Sequence, residues 1–299
     1  MRFDRIGVSD GLSQSSVMAI AQDDAGFMWF GTQNGLDRYD GFSIRHYRRD
    51  RGNPNALASN FVRDLDLAAD GTLWVATDGG GVSRWLPDTD TFVTYRHNPG
   101  DDRSLASDRV RVVLADNQGS IWVGTRDAGL DRLDVQTGTA THFRHVSADI
   151  DSVSSNDIRA LALRGTTLWI ATDAGLNKLD TNSNRITRYD ASLASEPALA
   201  EDRVRTLFVD HEGLVWIGTF GAGLFSFDPQ TERFAAYANS ASGLSGDRVE
   251  AIIEDDRQRI WIGTDRGLSL IDRAHDHVDS FVNDPTDPGS LGDDSIFSM

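Results

Sequence analysis

Six of the seven tryptophans recur at nearly constant spacing, and this periodicity limits the chain to a repeat architecture. Successive members are separated by 45, 48, 47, 47 and 45 residues, and each is followed by an apolar residue, then Gly or Ala, then Thr. A short turn and a Gly followed by Leu or Val come next in every repeat. The periodic tryptophans, which we predict to be core residues of the repeats, are Trp29, Trp74, Trp122, Trp169, Trp216 and Trp261.

Each repeat is typical of four short strands. The first strand carries an aliphatic residue and a second apolar residue three positions later, as in Val62 and Leu65. A turn containing Asp and Gly leads into the Trp strand, the third strand ends near an Asp in most repeats, and the fourth strand is short and aromatic. A four-stranded unit repeated every ~45 residues is the pattern of an all-β propeller.

The repeats extend over the whole chain, which we predict to be a single propeller domain, 1–299. Their approximate bounds are 12–56, 57–104, 105–152, 153–198, 199–243 and 244–290, with a partial seventh repeat at 291–299. The partial repeat would begin a seventh first strand at Ile296, and Arg2 to Ile6 stand where a fourth strand would close the last blade. We therefore expect a propeller of the seven-bladed type. The Gly or Ala of the Trp strand should lie where blades crowd together.

Charge and composition exclude several classes of function. Forty-six acidic residues against twenty-nine basic ones give a net charge of −17, which repels nucleic-acid phosphates and anionic lipids. No apolar run reaches the ~18 residues of a membrane helix, and the first residues do not resemble a signal peptide. We therefore expect no nucleic-acid partner and no direct membrane insertion. The absence of cysteine excludes disulfides, a thiol nucleophile and thiolate metal sites.

A column of arginines is the candidate ligand-binding site. Four consecutive repeats carry Arg directly after the first aliphatic residue of the first strand, where the other repeats have Met18, Glu250 and Phe297. If the strands alternate in direction, these arginines converge at a channel mouth and suit carboxylated or sulfated sugars. Alternatively, each Arg pairs with the Asp or Asn three residues earlier or with a neighbouring blade. The candidate residues are Arg63, Arg111, Arg159 and Arg205.

Two more polar columns could face a ligand, although structural roles are favoured for both. The residue at the start of the first strand is typical of an Asx side chain that caps loop amides. The Thr after the Trp strand is interpreted as a strand-end residue that bonds the following turn. The first column is Ser15, Asn60, Asp108, Asn156, Asp202, Asp247 and Asp294, and the second is Thr32, Thr77, Thr125, Thr172, Thr219 and Thr264.

Motifs for catalysis are weak or missing. There is no nucleophile elbow and no phosphate-binding loop, and carboxylate pairs such as Asp64 with Asp66 are expected by chance in so acidic a chain. His275 and His277 could offer two imidazoles to a metal, but no third ligand is evident. We expect no catalytic residue, no metal and no cofactor, and therefore a binding module without enzymatic activity.

The first repeat carries a family resemblance. Residues Asp10 to Val17 and Asp24 to Gly41 resemble the two-component regulator propeller repeat family, and the resemblance extends over all repeats. It implies the periplasmic sensor domain of a bacterial receptor whose output is a histidine kinase or a diguanylate cyclase.

Several partners follow from the resemblance. It implies a small-molecule or oligosaccharide ligand and downstream signalling domains in the same chain, and it leaves a homodimer open. The alternatives are a stand-alone protein-interaction propeller and, less favoured, a propeller lyase or glycan-active enzyme.

Overall fold

The chain folds into β-strands, as the tryptophan periodicity predicts. The computed structural model describes residues 1–116, 118–189, 203–273 and 277–299. Within these residues the strands form six four-stranded sheets, and strands that are consecutive in sequence are neighbours in their sheet. Two short 3-10 segments, Val8–Asp10 and Ser240–Ser242, are the other regular elements of the described ranges. The fold is an all-β propeller with four-stranded blades.

Residues 6–161 form one compact unit, which contains the first three sheets. The first sheet consists of β1 (Val17–Gln22), β2 (Met28–Thr32), β3 (Gly35–Tyr39) and β4 (Ile44–Tyr47). The second consists of β5 (Val62–Leu67), β6 (Leu73–Thr77), β7 (Gly81–Leu86) and β8 (Thr91–Tyr95). The third consists of β9 (Val110–Ala115), β10 (Ser120–Thr125), β11 (Leu130–Asp134) and β12 (Ala140–Phe143).

Residues 1–5 and 162–299 form the second compact unit, and the boundary falls within the first strand of the fourth sheet. That sheet consists of β13 (Ile158–Arg164), β14 (Thr167–Thr172), β15 (Gly175–Asp180) and β16 (Arg185–Tyr189). The fifth consists of β17 (Val204–Val209), β18 (Val215–Thr219), β19 (Leu224–Asp228) and β20 (Arg233–Ala238). The sixth consists of β21 (Val249–Glu254), β22 (Ile260–Thr264), β23 (Gly267–Asp272) and β24 (His277–Phe281).

The expectation of seven blades is wrong, because the structure has six four-stranded sheets. The first strand of each sheet is an edge strand that pairs with the Trp strand alone, and residues 291–299 have no seventh Trp strand to pair with. They therefore form no strand, although the Ile296 amide donates to the Thr264 carbonyl at 2.9 Å. Residues 2–6 are likewise not a closing strand. The Phe3 amide instead donates to the Gly289 carbonyl at 2.9 Å.

The periodic tryptophans form the core of the blades, as predicted. Five of them are at most 2% exposed, and Trp261, in the last of the six sheets, is partly exposed. The crowding predicted beside them is also present. A Cβ added to Gly124 would lie 2.7 Å from Cγ2 of Ile158, and one added to Gly31 would lie 2.5 Å from Cγ1 of Val62. These contacts leave no room for a larger side chain, which explains Gly at these positions.

Both polar columns have structural roles in the described residues. All six strand-end Thr hydroxyls donate to the carbonyl of the Gly that follows the turn, at 2.7 to 3.0 Å. Five residues of the Asx column accept a loop amide at 2.6 to 2.8 Å, namely Asn60, Asp108, Asn156, Asp247 and Asp294. The predicted roles are confirmed for these residues, and Asp202 lies outside the described part of the chain.

Candidate functional site

Three of the four candidate arginines occupy β-bulges in the first strands of their blades. The pairing between β5 and β6 shifts between Val62 and Asp64, so that Arg63 is the extra residue. Arg111 and Arg205 hold the same place in β9 and β17. A bulge bends the strand and changes the direction of the extra side chain. It also accounts for the spacing of three between the apolar residues of these strands, since an unbulged strand would show a spacing of two.

Three of the four candidates lie in the unit formed by residues 6–161, and we call Arg63, Arg111 and Arg159 the arginine cluster. Nη2 of Arg63 lies 2.8 Å from Oδ2 of Asp78. Nη2 of Arg111 lies 3.1 Å from Oδ1 of Asp157, and Nη2 of Arg159 lies 3.0 Å from Oδ2 of the same carboxylate. Asp157 therefore bridges arginines from two consecutive repeats and holds their guanidinium groups close together.

The cluster carries an excess of positive charge. The pKa of Arg111 is lowered to about 10, first by burial and then by the positive charge of Arg159, with smaller effects from Arg63 and Arg126. The guanidinium stays charged at neutral pH. The side chains of the three cluster arginines remain 21 to 24% exposed, so solvent and solutes can reach them. This is a cationic surface in a protein of net charge −17.

Arg63 also stacks on a ring. Its guanidinium carbon lies 3.9 Å from the centroid of Phe61, a distance at which cation–π attraction contributes. This contact and the ion pair with Asp78 hold the side chain in one arrangement, which reduces the entropy lost when a ligand binds.

The fourth candidate, Arg205, belongs to the second unit, where a carboxylate neutralises it. The Glu250 side chain is 3% exposed and pairs with Arg205, and its Oε1 also lies 2.6 Å from Nε of Arg248. Phe220 is 39% exposed, and the guanidinium carbons of Arg248 and Arg203 lie 4.5 and 5.9 Å from its ring centroid. The ion-pair partner of Arg205 is thus Glu250, which belongs to the next repeat.

Sequence reasoning missed the residues that partner the arginines. The expected partner three residues earlier is used by none of Arg63, Arg111 and Arg159, because that residue caps a loop amide instead. Pairing with a neighbouring blade occurs for Arg111 and Arg205. Phe220 has one sequence signal, since it follows a strand-end Thr where other repeats carry a polar or small residue.

The two carboxylates of β5 face the neighbouring first strand. Oδ2 of Asp64 accepts the Val113 amide at 3.0 Å, and Oδ2 of Asp66 accepts the Ala115 amide at 2.6 Å. Burial raises the pKa of Asp64 to about 7 and that of Asp66 to about 6. The two carboxylates therefore accept amides of β9 that have no partner strand. Among the described residues, no other pair of carboxylates connects two first strands in this way.

A metal centre finds no support in the described ranges, which contain no group of three or more His, Asp or Glu side chains arranged to hold an ion. Of the imidazoles considered from the sequence, His275 lies outside the described residues. Nε2 of His277 lies 2.9 Å from Oδ1 of Asp279, within its own strand.

Comparison with known proteins identifies the repeats. The family model described as two component regulator propeller matches residues 11–34, 104–127, 198–221 and 243–266. Each of these segments contains one periodic tryptophan, namely that of the first, third, fifth or sixth repeat. The resemblance to the two-component regulator propeller repeats that the sequence predicts is thus confirmed in four of the six repeats.

Similar proteins come from bacterial signalling. The chain is 54% identical over 39 residues to Histidine kinase P4 of Formosa agariphila, which is 13% of this chain and 3% of that protein. The extracellular domain of BT3049, a protein of Bacteroides thetaiotaomicron assigned to the hybrid two-component systems, has a TM-score of 0.83 and 25% identity. The alignment covers 98% of this chain and 38% of that one, so the chain spans well under half of its relatives' length.

The same fold occurs in an enzyme. Virginiamycin B lyase from Staphylococcus aureus has a TM-score of 0.68 and 12% identity, over 89% of this chain and 84% of that one. At this identity the similarity concerns the fold alone.

In the described part of this chain, no helix is long and apolar enough to cross a membrane.

Proposed function

We propose that this chain is the ligand-sensing propeller of a bacterial signal-transduction receptor and that its arginine cluster binds a carboxylated or sulfated ligand. The observation that carries the proposal is the gathering of three guanidinium groups from consecutive repeats around Asp78 and Asp157. Guanidinium groups form paired hydrogen bonds with carboxylate and sulfate oxygens, which gives both affinity and orientation.

The electrostatics of the cluster favour an added anion. Burial and the neighbouring Arg159 both disfavour the charged form of Arg111 and lower its pKa. An anionic ligand would offset this repulsion while Asp78 and Asp157 keep the guanidinium groups in place. Binding would then require little rearrangement of the cluster.

The comparisons support a receptor context. A solved neighbour is an extracellular domain of a protein assigned to the hybrid two-component systems, and a curated relative is a histidine kinase. The proposal places the propeller in the periplasm, as part of a longer receptor with a histidine kinase or diguanylate cyclase output. In this segment the propeller binds and does not catalyse.

The test is titration calorimetry with a panel of ligands that differ in charge. Tetragalacturonate and a sulfated heparin disaccharide are the anionic probes, and maltotetraose is the neutral probe. Each is titrated into the wild-type chain and into a variant that carries Arg111→Ala and Arg159→Ala. Arg103→Ala, whose side chain is 72% exposed in the same unit, is the matched control.

We expect an anionic probe to bind, and the double variant to bind it at least about tenfold more weakly, since a hydrogen bond to a charged group contributes roughly 1.5 to 3 kcal/mol. The control should bind as the wild type does. Undiminished affinity of the double variant, or binding of no anionic probe, would contradict the proposal.

A further inference from the structure

A cleft of about 480 Å³ lies in the unit formed by residues 1–5 and 162–299. The turns after β13, β17 and β19 border it, and Trp169 of β14 and Lys178 of β15 line it. Its volume is within the range of small-molecule sites. None of its lining residues belongs to the arginine cluster.

The cleft coincides with a shortened turn. In the first, fifth and sixth repeats, an Asp six residues before the Trp accepts the indole N–H, as Asp210 does from Trp216 at 2.9 Å. In the fourth repeat that position is Leu163, inside β13, and the turn consists of Gly165 and Thr166. The Trp169 indole N–H therefore lacks the carboxylate acceptor that these three repeats provide, as does that of Trp74, which has Ala68 at the same position.

Lys178 is the single lysine of the chain. It stands opposite Trp169 across the β14–β15 pair, where the first three repeats place Arg38, Arg84 and Arg132 opposite their own tryptophans. Its Nζ lies 5.9 Å from the Trp169 ring centroid. An ammonium group concentrates its charge at one atom, unlike the guanidinium groups that it replaces.

The cations of the cleft lack carboxylate partners. Nη2 of Arg164 donates to the His211 carbonyl at 2.9 Å, and its Nη1 donates to the Asp210 carbonyl, so neither bond cancels its charge. Lys178 forms no ion pair with any residue in the described ranges. The pKa of Asp180 is lowered first by hydrogen bonds from Ser183 and least by the charge of Lys178, so that carboxylate is already engaged.

The acidic groups that line the cleft are bonded within the protein. Oε2 of Glu212 lies 3.1 Å from Nη1 of Arg273, an arginine that also pairs with Asp210 and Glu254. Asp228 accepts the Gln230 amide and the Thr231 hydroxyl, each at 2.8 Å. Arg164 and Lys178 thus have no direct carboxylate partner among the described residues, while the two carboxylates of the lining oppose a ligand with a double negative charge.

We propose that this cleft binds a small ring compound with a single carboxylate. Lys178 and Arg164 supply the positive charge for the carboxylate, and Thr167 and the Trp169 indole supply further donors. Leu214 and Pro229 offer apolar contact to the ring. The carboxylate could belong to a sugar acid or to an aromatic acid, and the two are separated by experiment.

The single lysine makes a direct test available. Reductive methylation with ¹³C-formaldehyde labels Lys178 and the chain's α-amine, and it keeps the positive charge of the lysine. The Lys178 signal is assigned by its loss in Lys178→Arg. D-glucuronate and benzoate are then titrated while this signal is observed, with D-glucose and benzyl alcohol as the uncharged counterparts.

We expect one of the two acids to shift the Lys178 signal in a saturable manner, which also identifies the source of the carboxylate, and its uncharged counterpart to leave the signal in place. Equal shifts from acid and alcohol, or no shift from either acid, would overturn the proposal. Calorimetry with the acid that binds should show about tenfold weaker binding to Lys178→Gln. The exposed Arg185→Gln, outside the cleft lining, is the control.

The readout separates this site from the proposed sensing site. The Lys178 signal reports on the cleft alone, so it should be unaffected by Arg111→Ala with Arg159→Ala. Loss of the acid's effect in that double variant would also contradict a separate site.

Discussion

Replacing Asp64 by Asn should stabilise the protein more at alkaline than at acidic pH. The Asp64 carboxylate is desolvated beside β9, and its Oδ2 accepts the Val113 amide at 3.0 Å. Asparagine keeps an oxygen acceptor of the same size and removes the charge. The substitution therefore isolates the free-energy cost of the buried charge from the contribution of the hydrogen bond.

The direction of this pH dependence follows from the raised pKa of Asp64. The pKa of Asp64 rises from 3.8 to about 7 on folding, so the folded protein holds this proton more tightly than the unfolded chain does. The stability associated with the protonated carboxyl is full below the unfolded pKa and is lost as the pH rises through about 7. At 1.36 kcal/mol per pKa unit, about 2 to 3 kcal/mol of that loss falls between pH 5 and pH 8.

Asp64 is not fully shielded from solvent, so we expect a value near the lower limit, about 2 kcal/mol. For a unit of ~150 to 250 residues this corresponds to about 4 to 8 °C in Tm. Thermal unfolding is followed by circular dichroism at pH 5 and pH 8 for both proteins. The gain in Tm from Asp64→Asn should be larger at pH 8 by about that amount.

A matched carboxylate should behave in the opposite way. Asp134 accepts the Gln136 and Thr137 amides in an exposed turn, and these bonds lower its pKa. Asp134→Asn should therefore lower the Tm to a similar extent at pH 8 and pH 5, and this loss should shrink only below about pH 4, as the pH falls through 3.8 and the lowered folded pKa. An equal gain at both pH values for Asp64→Asn, or a larger gain at pH 5, would refute the reasoning about the buried charge.

Two further predictions concern packing and turn capping. Gly124→Ala should destabilise the protein by about 1 to 3 kcal/mol, because the added Cβ would lie 2.7 Å from Ile158. Gly100→Ala, in an open loop, should leave the Tm nearly unchanged, and similar Tm values for the two variants would contradict this prediction. Asp210→Ala should lower the Tm and shift the Trp216 indole N–H resonance, because that N–H and three turn amides lose their acceptor. The expected loss of stability is about 2 to 4 kcal/mol. An unmoved resonance would show that Asp210 is not the acceptor.

Features that recur from repeat to repeat could be predicted from the sequence. The Trp strand, the strand-end Thr such as Thr125 and the crowded Gly124 depend on residues a few positions apart or on contacts that every repeat shares. The Trp and the Thr recur in all six repeats, and Gly stands at the crowded position in four of them, which makes these features predictable. The i, i+3 spacing of Val62 and Leu65 also indicates the β-bulge, because apolar residues on one face of a regular strand are two positions apart.

Features that depend on a particular pair of residues far apart in the sequence could not be predicted. The partner of Arg63 is 15 residues away, and that of Arg111 is 46 residues away, so neither is visible in local spacing. The count of seven blades was wrong because it assigned a blade to residues 291–299 without a second strand to pair with. The cleft had a sequence signal, the shortened turn before Trp169, but its meaning depends on the turns of the adjacent blade.

The most direct test of a sensing role is the ligand-dependent output of the parent protein in membrane vesicles. Autophosphorylation or cyclic di-GMP synthesis is measured with the anionic ligand found by calorimetry, for the wild type, for Arg111→Ala with Arg159→Ala, and for Arg103→Ala. The account predicts that the ligand changes the output of the wild type and of Arg103→Ala and leaves that of the double variant unchanged. A double variant that responds like the wild type, or a parent protein without any signalling output, would contradict it.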